Sequence, residues 1–131
     1  MSAQELYIQS MDIAAVASTT EEERHLSHGL DGTYKLEAAY FTPTAAVTAA
    51  ATNFVTVALN KGAAGTLIAS VDTDATGVSF VVGTPTAITI SGTGTDLEFT
   101  ATDGLEVDLN KDGTGGTIEG SITLRWVRAR V

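Results

Sequence analysis

The side chains best spaced for chemistry are Asp108, Asn110, Asp112 and Glu119, with Gly113 at the sixth position of the run. This is the spacing of an EF-hand calcium loop: alternate oxygens converge on the ion, a glycine makes the sharp turn, and a glutamate closes the shell. An EF-hand also needs a helix on each side. Here the flanks, LEVDL and TIEGSITL, alternate apolar and polar residues as strands do, and the related turn at 59–66 contains no acid. A structural turn is therefore expected, with calcium as the alternative reading. No other metal or cofactor is expected.

Other constellations are weaker. His25 and His28 are three apart, which puts them on opposite faces of a strand, and no third nitrogen or thiolate completes a zinc set; solvent-exposed histidines or an interface pair are expected. Asp72 and Asp74 read as turn formers between strands. Ser and Thr are abundant, but there is no G-x-S-x-G elbow and no cysteine. Two carboxylates could meet in space, as glycosidases require, yet aromatics are only 6% of the chain, too few to line a sugar-stacking cleft. The Gly-rich stretches 92–94 and 113–116 do not lead from a strand into a helix, so they are not phosphate loops. The expectation is a protein that is not an enzyme.

The elements around these residues are strands. From Gly32 onward, short Thr- and Val-rich alternating segments are separated by Gly-containing turns. Thr33–Phe41 places Tyr34, Leu36, Ala38 and Tyr40 on one face. Asn53–Asn60 places Val55, Val57 and Leu59 together. Further segments lie at 66–71, 78–82, 86–91, 97–100, 105–109 and 117–128, and 44–52 reads as a loop or a single helical turn. About eight strands with no intervening helical period predict an all-β fold: a two-sheet antiparallel sandwich, jelly-roll-like, with an extended N-terminal arm. Residues 1–23 are read as that arm or an edge strand, and residues 24–131 as one sandwich domain. The runs 59–68 and 109–118 share Leu-Asn-Lys, a Gly-rich turn and a returning Thr-led strand, which suggests two hairpins with the same turn chemistry.

Composition narrows the partners. Sixteen acids against seven Lys and Arg leave a net charge of -9, which argues against nucleic acid. No apolar run approaches the roughly 18 residues of a membrane span, and the acid-bearing N-terminus is not a secretory signal. Three of the seven basic residues fall in the last seven positions, around Trp126. Trp and Arg are enriched at interface hot spots. The interface candidates are Arg125, Arg128 and Arg130 at this end and Leu6, Tyr7 and Ile8 at the other, while Trp126 itself is expected in the core.

The pattern Gly32-Thr33-Tyr34-Lys35-Leu36-Glu37-Ala38-Ala39-Tyr40-Phe41-Thr42-Pro43, then Ala45-Ala46-Val47-Thr48 and Thr52-Asn53-Phe54-Val55-Thr56-Val57, resembles small β-sandwich proteins encoded near the major capsid proteins of tailed phages. Those are capsid decoration (cement) or head-fibre-like proteins. The resemblance extends through Leu67–Ser70, the Gly83-Thr84-Pro85 turn and the final Val/Ile-rich strand, covering about residues 30–127. It implies a structural virion protein that binds the outer surface of a phage capsid and stabilises neighbouring capsomers. The implied partner is the major capsid protein and the implied state a homo-oligomer, with a trimer favoured. The implied location is the capsid exterior, after synthesis in the host cytoplasm. The alternatives are a carbohydrate- or cell-surface-binding module of a fibre, and a tail or connector subunit.

Overall fold

The computed structural model describes residues 6–16, 22–62, 65–113 and 116–129. The strands are β1 (Leu6–Ile13), β2 (Glu22–Leu26), β3 (Tyr34–Pro43), β4 (Val55–Lys61), β5 (Thr66–Asp72), β6 (Thr86–Ala87), β7 (Thr89–Ile90), β8 (Glu98–Phe99), β9 (Leu105–Lys111) and β10 (Gly120–Arg128). A single 3₁₀ turn, Gly94–Leu97, precedes β8. One antiparallel sheet, A, runs β1-β10-β3-β6, with β8 also on β3; the other, B, runs β2-β9-β4-β5-β7. Among the described strands only β4 and β5 form a hairpin within one sheet, and every other connection crosses between sheets. That order is a jelly roll, with β6, β7 and β8 standing in for one broken strand.

The alternation of β4 and β9 makes this arrangement stable. Val55, Val57 and Leu59 of β4 and Leu105, Val107 and Leu109 of β9 turn inward and are buried. Opposite them lie Leu36 and Phe41 of β3 and Ile122, Leu124 and Trp126 of β10. The two inner faces share one apolar core. Ile88, between β6 and β7, is also buried, and its N–H donates to Ala39 O at 2.8 Å. The segment thus crosses from sheet A to sheet B and closes one side of the sandwich.

Several expectations change. Of the two readings of the N-terminal segment, residues 6–13 follow the edge strand and not the extended arm: β1 pairs with β10 along its whole length, from Leu6 opposite Val127 to Ile13 opposite Gly120. Tyr7 and Met11 pack against the core and Ile13 lies within it. The expected boundary after residue 23 falls inside β2. On β3, strict alternation fails at a bulge: Ala38 opposes Arg125 but Leu36 opposes Trp126, so Glu37 is the extra residue. Beyond it Ala39 and Phe41 face inward, and Tyr40 points out at 39% exposure. Residues 78–82 form no strand; Phe80 makes an isolated bridge to Val47 within the 44–52 segment, which has no helical turn. Of the two similar turns, 59–66 is a hairpin, whereas 109–118 carries the chain from sheet B to sheet A.

Candidate functional site: the two outer faces of the sandwich

On the outer face of sheet A, pairing puts Leu6 opposite Val127 and Ile8 opposite Arg125. Leu6 and Ile8 are about half exposed, at 53% and 52%. Arg125 Nε lies 3.0 Å from Glu37 Oε1, a surface pair that adds little stability. Three interface candidates therefore converge: Leu6, Ile8 and Arg125. Tyr7 and Arg128 do not join them, because they alternate to the other side, opposite Trp126 and Tyr34 respectively. Arg130 lies outside the described residues.

The sheet edges differ in how well they are protected. An unpaired strand edge is a template for another strand, and proteins blunt it with short length, proline or inward-pointing charge. The edges formed by β6, β7 and β8 are two residues long. β2 has five residues and directs Glu22 and Arg24 toward the inner side, opposite Leu109 and Val107, where they pair at 3.3 Å. β1 has eight residues, no proline and one charge, Asp12. Among the described residues it is the one long edge without such a device.

On the outer face of sheet B, His25 lies directly opposite Glu106, and Glu23 opposite Asp108. The ligand atoms of Glu23, His25 and Glu106 lie within 4.8 Å of one another, with His25 Nε2 3.8 Å from Glu23 Oε2. Asn60, buried on β4, donates through Nδ2 to Asp108 Oδ2 at 2.6 Å and Glu106 Oε1 at 3.3 Å. A cleft of about 320 Å³ adjoins this group, lined by His25, Gly62, Thr102, Gly104 and Glu106. The i, i+2 spacing of Glu23 and His25 was visible in the sequence. Their meeting with Glu106, eighty-one positions on from His25, depends on strand register.

His28 is buried rather than exposed or at an interface. Its Nδ1 accepts the Leu30 N–H at 3.0 Å, so Nε2 carries the proton donated to Phe99 O at 2.8 Å. The ring also meets Trp126 edge-on, with centroids 5.4 Å apart. His25 is thus exposed on the outer face of sheet B, whereas His28, beyond the end of β2, is buried against the core.

The 108–119 run lies between two strands. Asp108 and Asn110 belong to β9, Asp112 follows it, and Glu119 precedes β10. Glu119 Oε1 accepts the Thr44 hydroxyl at 2.7 Å. Gly113 has φ +60°, and a Cβ there would collide with the Asn53 side chain. The glycine of the run therefore has a steric reason of its own. Asp108, Asp112 and Glu119 do not form a convergent ligand group among the described residues.

Asp72 and Asp74 serve the turn after β5, as expected of turn formers: Asp74 Oδ1 accepts the Thr76 N–H at 2.8 Å, which holds its carboxyl below the usual range. Asp103 does the same between β8 and β9. Its Oδ2 accepts the Thr100 N–H at 2.8 Å, and that bond lowers its carboxyl from the ordinary 3.8. A lowered folded pKa stabilises above the unfolded value and loses its contribution as pH falls through the folded one. Asp103→Ala is expected to cost about 1 kcal/mol at pH 7, the scale of a lost side-chain cap. The gap from wild type should narrow below pH 3.8, which urea titrations on both sides of that value would measure.

No protein-family model, curated protein or solved structure matches this chain. Among the described residues no helix is long and apolar enough to cross a membrane.

Proposed function

We propose that this chain is a non-catalytic structural protein that binds the outer surface of a tailed-phage capsid and clamps neighbouring capsomers, acting as a small oligomer. The observation carrying this reading is β1: a long, weakly charged sheet edge with Leu6 and Ile8 half exposed beside Arg125. Such an edge can accept a strand or an extended segment from a capsid subunit, with main-chain hydrogen bonds supplying affinity and alternate side chains specificity. Repetition across a lattice multiplies weak contacts. Jelly rolls occur in viral capsid and lectin domains alike, so the fold agrees with this role without selecting it. The cleft on sheet B has no aromatic lining residue, so stacking on a sugar ring does not favour the lectin alternative.

The test is co-sedimentation with expanded and unexpanded shells of the capsid protein encoded alongside this chain. Wild type should bind expanded shells saturably. Leu6→Asp/Ile8→Asp should bind at least tenfold more weakly, a loss of about 1.4 kcal/mol or more. Its melting temperature should be nearly unchanged, because both side chains are already half in water. Wild type that binds neither shell would reject the capsid role, and a double variant that binds normally would reject β1 as the docking edge.

A further inference from the structure

We infer that Glu23, His25 and Glu106 form a binding site for a divalent first-row transition metal on the outer face of sheet B. The argument begins with register. Glu23 and His25 are two apart on β2 and so share a face, and Glu106 is the cross-strand neighbour of His25 on β9. Three ligand atoms of metal-binding type are thereby brought within 4.8 Å of one another. Around zinc, ligands at about 2.0–2.2 Å in a tetrahedron stand roughly 3.3–3.6 Å apart. His25 Nε2 and Glu23 Oε2 are already 3.8 Å apart. Closing the remainder asks for rotations at the ends of the exposed Glu23 and His25 side chains toward the half-buried Glu106.

A second feature is the buried amide behind the group. Asn60 is 7% exposed, and its Nδ2 donates to Glu106 Oε1 and Asp108 Oδ2. A donor behind a ligating carboxylate fixes its orientation, as outer-shell partners do in metal sites. The arrangement also keeps Asp108 close by, adding negative charge that favours a cation. The cleft bounded by His25 and Glu106 on the side of Gly62, Thr102 and Gly104 leaves room for water in the remaining coordination positions.

The ligand set selects the ion class. One imidazole with two carboxylates suits zinc, manganese, cobalt or nickel, whereas calcium and magnesium take oxygen alone. Bound metal would pin edge strand β2 to β9 and so stabilise that edge of sheet B. This site is independent of the capsid reading: it lies on the sheet opposite β1 and requires no partner.

The experiment is calorimetric titration of the full chain with Zn²⁺, beside Ca²⁺, together with histidine-ring NMR. One Zn²⁺ per chain should bind, raise the melting temperature, and move the His25 ring signals while leaving those of His28 in place. His25→Ala and Glu106→Gln should each weaken zinc at least tenfold, and Asn60→Ser, a positioning change, should weaken it less. Glu119→Gln should leave it unaltered. Metal-free melting temperatures of the His25 and Glu106 variants close to wild type would establish that they fold. Absence of a saturable zinc isotherm, an isotherm unchanged in His25→Ala, or calcium binding as tight as zinc at this site would each overturn the assignment.

Discussion

Trp126→Ala is expected to destabilise the protein by about 3–5 kcal/mol, the range for removing a buried Trp or Phe. The indole is 0% exposed and sits where the central strand of sheet A meets the core. It meets Phe99 edge-on at 5.2 Å and His28 at 5.4 Å. Its Nε1–H donates to Gln9 Oε1 at 2.9 Å, so β1 supplies the polar partner that a buried indole requires. Truncation would leave a cavity between the sheets and deprive the Gln9 carbonyl of its donor. Domains of this size have about 5–15 kcal/mol in total, so the variant would sit near the limit of folding. Urea unfolding followed by far-UV circular dichroism would measure the loss. Trp126→Phe keeps most apolar contact and should lose roughly 1–2 kcal/mol, the scale of one hydrogen bond and a small void. A loss below about 1 kcal/mol for the alanine variant would contradict the packing described for the indole.

Deleting residues 1–13 is expected to abolish cooperative folding, in contrast to the behaviour of a detachable arm. The deletion removes β1 and with it eight residue pairings to β10. It also removes Ile13, 2% exposed, and the partly buried Tyr7 and Met11 that pack on the core. Losing one buried Ile side chain costs about 2–5 kcal/mol, and the freed edge of β10 would add unpaired backbone groups. The truncated chain should show poor NMR dispersion and no sigmoidal melt. A truncated chain that melts cooperatively and still binds expanded capsids would make residues 1–13 dispensable to both fold and docking. This is why point changes at Leu6 and Ile8, whose side chains face water, are the cleaner probe of the surface.

The parts of the fold legible in the sequence are those where local pattern and burial coincide. Val55, Val57 and Leu59 alternate and face the core as alternation requires. Leu105, Val107 and Leu109 do the same. Trp126 was expected inside and is. Reading failed where tertiary contacts override the period. β2, EERHL, looks like a solvated charge run because an edge strand can face charge inward at the rim of a sandwich. On β3 one bulged residue, Glu37, exchanges the faces of everything beyond it. Thr86–Ser91 reads as one strand but divides between two sheets, since Ile88 plugs the side of the core.

The candidate sites follow the same division. Leu6, Ile8 and Arg125 were each singled out by residue type, but only the β1–β10 register places Ile8 against Arg125 and sends Tyr7 the other way. From its spacing, His25 was expected to be a solvent-exposed or interface histidine, with only His28 weighed as a fellow ligand. Glu106 reaches His25 because β2 and β9 are neighbours in sheet B although far apart in the chain. Taken alone, the amino-acid sequence determined that this protein is all-β, acidic and without thiol chemistry, because composition and a two-residue period are local properties. Which residues meet, on which face, and which sheet edge stays open were decided only by the tertiary structure. Strand order, bulges and register arise from pairings between distant segments, and no local period encodes them.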